Sequence, residues 1–333
     1  MYVKRNIGWG IIMRYAWKNL IIFTLWGGFV FGAYLFLGWQ HIDIPFQPLS
    51  VIGIAVAFYI GFKNSQSYDR FWEARKIWGG IVNYSRTWGT DVLCFVDDVH
   101  ETKKVLLYRH IAWINALRIQ LRQPNSFSLK ENRAVERLFE RHGEKNPACE
   151  GMQLLLDPGE IADLENRKNV ATQLVKNQGL HLRQLLADDK ITEFDKQVFH
   201  HVLEELYNLQ GKCERIKNTP FPRQYAYFST LFTWMFVVLI PFGLLNVFES
   251  ELVEITPVNT WWYLGLMIFF SVLISWIFIT MEKIGSNSED PFEGRINDVP
   301  MTALCRTIEI DLRDMLNEDP LPEKVQAQDN ILY

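Results

Sequence analysis

The chain has 333 residues, 49% of them apolar and 14% aromatic, and a formal net charge of −4. So small a charge argues against the broad basic surface of a nucleic-acid binder. The four cysteines, scattered with no CxxC spacing, point to neither a disulfide framework nor a zinc site and suit a reducing compartment. The averages conceal a division: apolar residues collect in four blocks, whereas residues 63–224 are mixed and charged, like a soluble helical protein.

The first block, Leu20–Trp39, holds about twenty residues without a charge, enough to cross roughly 30 Å of hydrocarbon. It is too long for a signal-peptide core and has no small-x-small cleavage site before His41. The second, Pro48–Phe62, is short for a span of its own, so its helix is expected to continue or to line an aqueous cavity. No Pro falls between Leu49 and Trp88, so one helix is predicted to run from the apolar block into the charged segment after it.

Within that block Ile54, Phe58 and Phe62 recur at i, i+4 and i+8. The spacing stacks three bulky apolar side chains on one helical face, each about 6 Å further along the axis. Small residues (Gly53, Ala55, Ala57, Gly61) allow other helices to approach closely. A membrane helix showing one apolar stripe to its own copies can wall a narrow pore; the plainer reading is a stripe facing lipid or a bundle core. The following Asp69, Arg70, Glu73, Arg75 and Lys76 read as local salt bridges, with Arg70–Glu73 and Glu73–Lys76 at i, i+3.

Residues 101–123 and 194–218 carry apolar residues at i, i+3, i+4 and are predicted to be amphipathic helices. Pro124, Pro147 and Pro158 with Gly143, Gly151 and Gly159 mark loops between helices. His200 and His201 stand four residues before Glu204 and Glu205, a spacing that can hold a metal, but with no third ligand nearby they read as a solvated face. The Thr219–Pro222 run should break the helix before the third block, Tyr225–Phe248, in which Pro241 is expected to introduce a kink. The fourth block, Trp261–Met281, opens on a Trp-Trp-Tyr anchor. A turn-rich connector, EDPFEGRINDVP, then leads to a helix from Met301, and the residues from Glu318 read as a loose polar tail.

Lys and Arg flank the blocks on one side only, and the two remaining loops, His41–Gln47 and Glu249–Thr260, contain neither. By the positive-inside rule both termini and the polar region are cytosolic and those loops face out. The predicted architecture is an all-α, multi-pass protein of the cell membrane with spans at 20–39, 48–62, 225–248 and 261–281. Its cytosolic helical regions are 63–224 and 282–317. Residues 1–317 are expected to form a single domain and 318–333 a polar tail. GxSxG, HExxH, GxGxxG and Walker motifs are all absent, so no catalytic residue, metal site or cofactor is expected.

Three stretches, FYIGFKNSQSYDRFWEARKIWGGIV (58–82), GKCERIKNTPFP (211–222) and EDPFEGRINDVP (289–300), resemble the bestrophins, specifically their bacterial branch. The resemblance implies a homopentameric channel for small monovalent ions in the bilayer, with Ile54, Phe58 and Phe62 forming a hydrophobic neck. It also implies a second constriction at the cytosolic exit, for which Ile191 and Phe194 are the candidates. Animal bestrophins place a calcium clasp after the NPF-like motif. Here Glu289, Asp290, Glu293 and Asp298 remain but Arg295 interrupts them, so clasp-based activation is expected to be weak or absent. Animal members pass chloride and the bacterial branch is associated with monovalent cations; an apolar neck does not choose between them. The acidic residues Asp43, Glu249, Glu251 and Glu254 of the outer loops would favour cations at the mouth if they face it. The alternative to a channel is a non-conducting membrane scaffold that binds a cytosolic partner.

Overall fold

A computed structural model describes residues 1–39, 41–123, 152–253 and 257–333, with backbone alone at 249–253 and 257–260. Pro124, Gly143, Pro147, Cys149, Gly151 and Glu254, with the side chains of Glu249 and Glu251, lie outside the described residues. Helices account for the regular structure described: α1 (Trp9–Phe36), α2 (Phe46–Phe95), α3 (His100–Arg122), α4 (Pro158–Glu165), α5 (Val170–Ala187), α6 (Glu193–Asn218), α7 (Arg223–Val253), α8 (Pro257–Asn287) and α9 (Met301–Met315). Four of them, α1, α2, α7 and α8, are long and apolar enough to cross a bilayer. The chain divides into two compact units: a span unit (Lys4–Asp69 and Phe221–Glu289) and a polar unit (Met1–Val3, Arg70–Pro220 and Asp290–Tyr333).

In the span unit α1 packs on α7 and α8, and α7 on α8, around a core that includes Phe23, Phe31, Ile60, Phe236, Leu245 and Met267. The Trp26 indole N–H donates to the Val238 carbonyl at 3.1 Å, one turn before Pro241, which lies inside α7. The first span was expected at 20–39, but α1 begins at Trp9. Ile11, Ile12, Met13 and Trp17 extend its apolar surface, and Arg14 and Lys18 are good helix formers whose long stems let them stand at a span's edge. It ends at Phe36 because Gly38 turns left-handed (φ +66°), a conformation that glycine adopts at little cost.

The second block continues without interruption into α2, a helix of 50 residues, as the missing prolines predicted. The helices expected at 101–123, 194–218 and from Met301 form as α3, α6 and α9.

The polar unit encloses Trp78, Trp88 and Trp113 almost completely, with α3 packed against α5, α6 and α9. Thr192 caps α6: its hydroxyl accepts from the Asp195 N–H while the Asp195 carboxylate accepts from the Thr192 N–H. At the other end of α6 the Arg70 guanidinium donates to the carbonyls of Ile216 (3.1 Å) and Thr219 (3.0 Å), acceptors that the helix itself leaves open.

The C-terminal stretch is not loose. Ile331 is buried and bridges Tyr2, the Val3 N–H donates to the Asn330 carbonyl, and the Ala303 N–H donates to the Tyr333 carbonyl at 2.7 Å. Glu318 is held by Arg313 (2.8 Å) and the Tyr108 hydroxyl (2.7 Å). Burial of Ile331 and satisfied backbone groups outweigh the polar composition of the segment.

Candidate functional site

Within the span unit α2 buries a narrow stripe: Gly53, Val56, Ile60, Lys63 and Ser67. At about 100° per residue, Ile54, Phe58 and Phe62 fall on the opposite side of the helix. Ile54 is 71% exposed, Phe58 76% and Phe62 45%. Phe62 is the least exposed because its ring meets Tyr225 of α7 at 6.0 Å. Three large apolar side chains thus point away from the unit's own core, where burial would have been favourable. Left in water each would forgo about 1.5–3 kcal/mol of burial, so lipid or another protein surface is expected to cover it.

Gly53 shows how α2 is seated on its neighbours: a Cβ there would stand 2.8 Å from the Phe236 ring. Beside Ile54 lies an apolar cleft of about 270 Å³ between Gly53 and Ala57 of α2, Phe236 and Ile240 of α7, and Phe278 of α8.

A feature not anticipated from the sequence lies one residue beyond Phe62. Lys63 is only 1% exposed, and its ammonium reaches Glu282 Oε1 (3.0 Å), Ser286 Oγ (2.6 Å) and Glu289 Oε1 (3.3 Å), all on or just after α8. The same Glu282 oxygen accepts from Thr230 (2.7 Å) and Ser286 (2.8 Å). Beside it, Asn64 donates to the Met281 carbonyl at 3.1 Å. The available signal was a Lys just after one apolar block and a Glu just after another, but nothing in the sequence paired them.

The remaining candidates are dispersed. Ile191 is 5% exposed and belongs to the polar unit's core, whereas Phe194, at the start of α6, is 81% exposed. Of the clasp-like acids, Glu289 faces Lys63 in the span unit. In the polar unit Asp290 lies 3.9 Å from Arg70, and Glu293 meets Arg295 (2.7 Å) and Lys217 (3.8 Å). Asp298 accepts from the Arg295 N–H at 2.8 Å, and burial pushes its carboxyl up to about 6. Burial likewise pushes the Lys217 ammonium down, with Glu293 opposing the shift. Cationic side chains therefore face Glu289, Asp290 and Glu293, whereas Asp298 is held by a backbone N–H. Among the described residues no three His, Cys, Asp or Glu side chains gather as metal ligands, and His200, His201 and Glu204 lie exposed on α6.

His110 is buried between the Trp88 and Trp113 rings. The Ser85 hydroxyl donates to the Ile81 carbonyl (2.6 Å), so the network assigns the His110 Nε2–H as donor to Ser85 (2.8 Å). Burial holds this imidazole down to about 3, and it is neutral at physiological pH.

Among the described residues, four helices fit to cross a bilayer in otherwise helical structure, and they define a multi-pass membrane protein. The chain belongs to the bacterial/fungal bestrophin family, whose model matches residues 6–314. It is similar to the voltage-dependent anion channel-forming protein YneE of Escherichia coli K12, at 29% identity over 97% of this chain and 94% of that protein. A voltage-dependent anion channel-forming protein of Ralstonia nicotianae is 28% identical over the full length of both. A crystal structure of a bacterial bestrophin homologue from Klebsiella pneumoniae, at 25% identity, matches with a TM-score of 0.76 over 91% of this chain and 99% of that one.

Proposed function

We propose that the protein is the subunit of a homopentameric channel in which Ile54, Phe58 and Phe62 of each copy form a hydrophobic neck. The observation that carries this reading is the stripe itself: large apolar side chains on a membrane helix, turned away from their own fold. Five copies of α2 around one axis would stack three apolar rings over roughly 12 Å. A constriction of that kind holds ions back because dehydration there is not repaid by ligands, and small side-chain rotations change its wetting. Phe194 is the candidate for a second constriction, since its exposed ring is free to face an exit and Ile191 is committed to the core.

Small monovalent ions are the proposed cargo, and the names of the relatives favour anions. Both termini are assigned to the cytosolic side. The Tyr2–Ile331 bridge supports their lying on one side of the membrane, and the Lys and Arg flanking the spans support that side being the inner one.

Purified protein recorded in a planar bilayer under a KCl gradient tests the reading. The expected reversal potential lies near that of chloride; one near potassium's keeps the channel and overturns the anion assignment. Replacing Ile54, Phe58 and Phe62 together by Ala is expected to raise open probability. An unchanged open probability rejects the neck, and silence from both proteins replaces the channel with a non-conducting scaffold.

A further inference from the structure

The buried stripe of α2 consists of small and aliphatic side chains down to Ile60, which set the rotation of the helix through shape alone, without directional bonds. Lys63 is different. Its ammonium donates to Glu282 and Ser286 and stands 3.3 Å from Glu289 as an ion pair, and Glu282 is itself tied to Thr230 of α7. Asn64, the next residue, bonds the Met281 carbonyl. Close packing leaves little room for this end of α2 to shift, because Gly285 of α8 lies so near the Lys63 and Asn64 side chains that a Cβ there would collide with Asn64. A buried charge held between two carboxylates and a hydroxyl favours one arrangement, since a rotation or slide of α2 would strand the ammonium or the carboxylates.

We infer that Lys63 is a positioning residue for the neck: by anchoring α2 to α8 and α7 it sets the rotation at which Phe62, and with it Phe58 and Ile54, is presented. Phe62 precedes Lys63 directly, so pinning one leaves the other a single direction about 100° away around the helix. The inference rests on the neck reading above and adds the residue that holds the neck in register.

Its test uses the full-length channel in the same bilayer recordings. Lys63→Met combined with Glu282→Gln and Glu289→Gln removes the anchor without leaving a buried charge unpaired. Lys63→Arg keeps the cation. The neutral triple variant, eluting as the parent assembly, is expected to change open probability by about tenfold while single-channel conductance stays the same. Lys63→Arg is expected to restore parental gating. An assembled triple variant with parental open probability overturns the inference, as does loss of assembly in both variants, which would make the network purely structural. Recording Ile54/Phe58/Phe62→Ala alongside separates the two claims. If those alanines alter gating and the neutral triple variant does not, only the positioning role fails. If the alanines do nothing, the neck reading fails and the positioning role falls with it.

Discussion

At the scale of single residues, two buried titratable groups in the polar unit act on stability with opposite sign. The His110 imidazole is held down to about 3 from 6.5, and the Asp298 carboxyl is pushed up to about 6 from 3.8. A base with a lowered folded pKa leaves the unfolded chain as the better proton binder, so stability is lost as pH falls from 6.5 towards 3. An acid with a raised folded pKa makes the folded chain the better binder, so stability is lost as pH rises from 3.8 through about 6. Between about 6 and 3.8 these two slopes offset. Asp298→Asn is therefore expected to steepen the acid loss of Tm over that window relative to the parent, and His110→Gln to lessen it. Tryptophan fluorescence during thermal unfolding at stepped pH checks both. Its place between two tryptophans makes His110 a neutral core group.

At the scale of elements, periodicity and punctuation carried most of the information. The unbroken run from Leu49 to Trp88, the Thr219–Pro222 break and the amphipathic stretches all mark helices where they occur. The start of α1 and the docked C-terminal segment were not legible, because each depends on surfaces that distant residues provide. Helix contacts also impose demands that spacing alone does not reveal. A Cβ at Gly89 of α2 would stand 2.7 Å from both Leu312 Cδ2 and Met315 Sδ of α9. Gly89→Val is thus expected to destabilise the polar unit by about 1–3 kcal/mol, seen as a lower Tm by circular dichroism. A Tm equal to the parent's would mean that α9 yields without cost.

At the scale of the whole molecule, the exposed stripe on α2 is the surface that the proposed assembly would cover. Closed cyclic assembly is the usual way for copies of one chain to cover such a surface around an axis. Native mass spectrometry of the detergent-purified protein is expected to give one dominant species with the mass of five chains. A monomer would return the stripe to lipid and remove the basis for a neck.

The sequence by itself determined the helical class, the four blocks and the phase of Ile54, Phe58 and Phe62, because hydrophobic periodicity and chain breaks are local properties. It also holds the three motifs that resemble the bestrophins. Tertiary structure alone decided which face of α2 is buried and that Ile191 is core while Phe194 is exposed. It alone paired Lys63 with Glu282, 219 residues away. Burial and charge pairing are properties of surfaces brought together by folding, and a linear pattern carries no record of which surfaces those are.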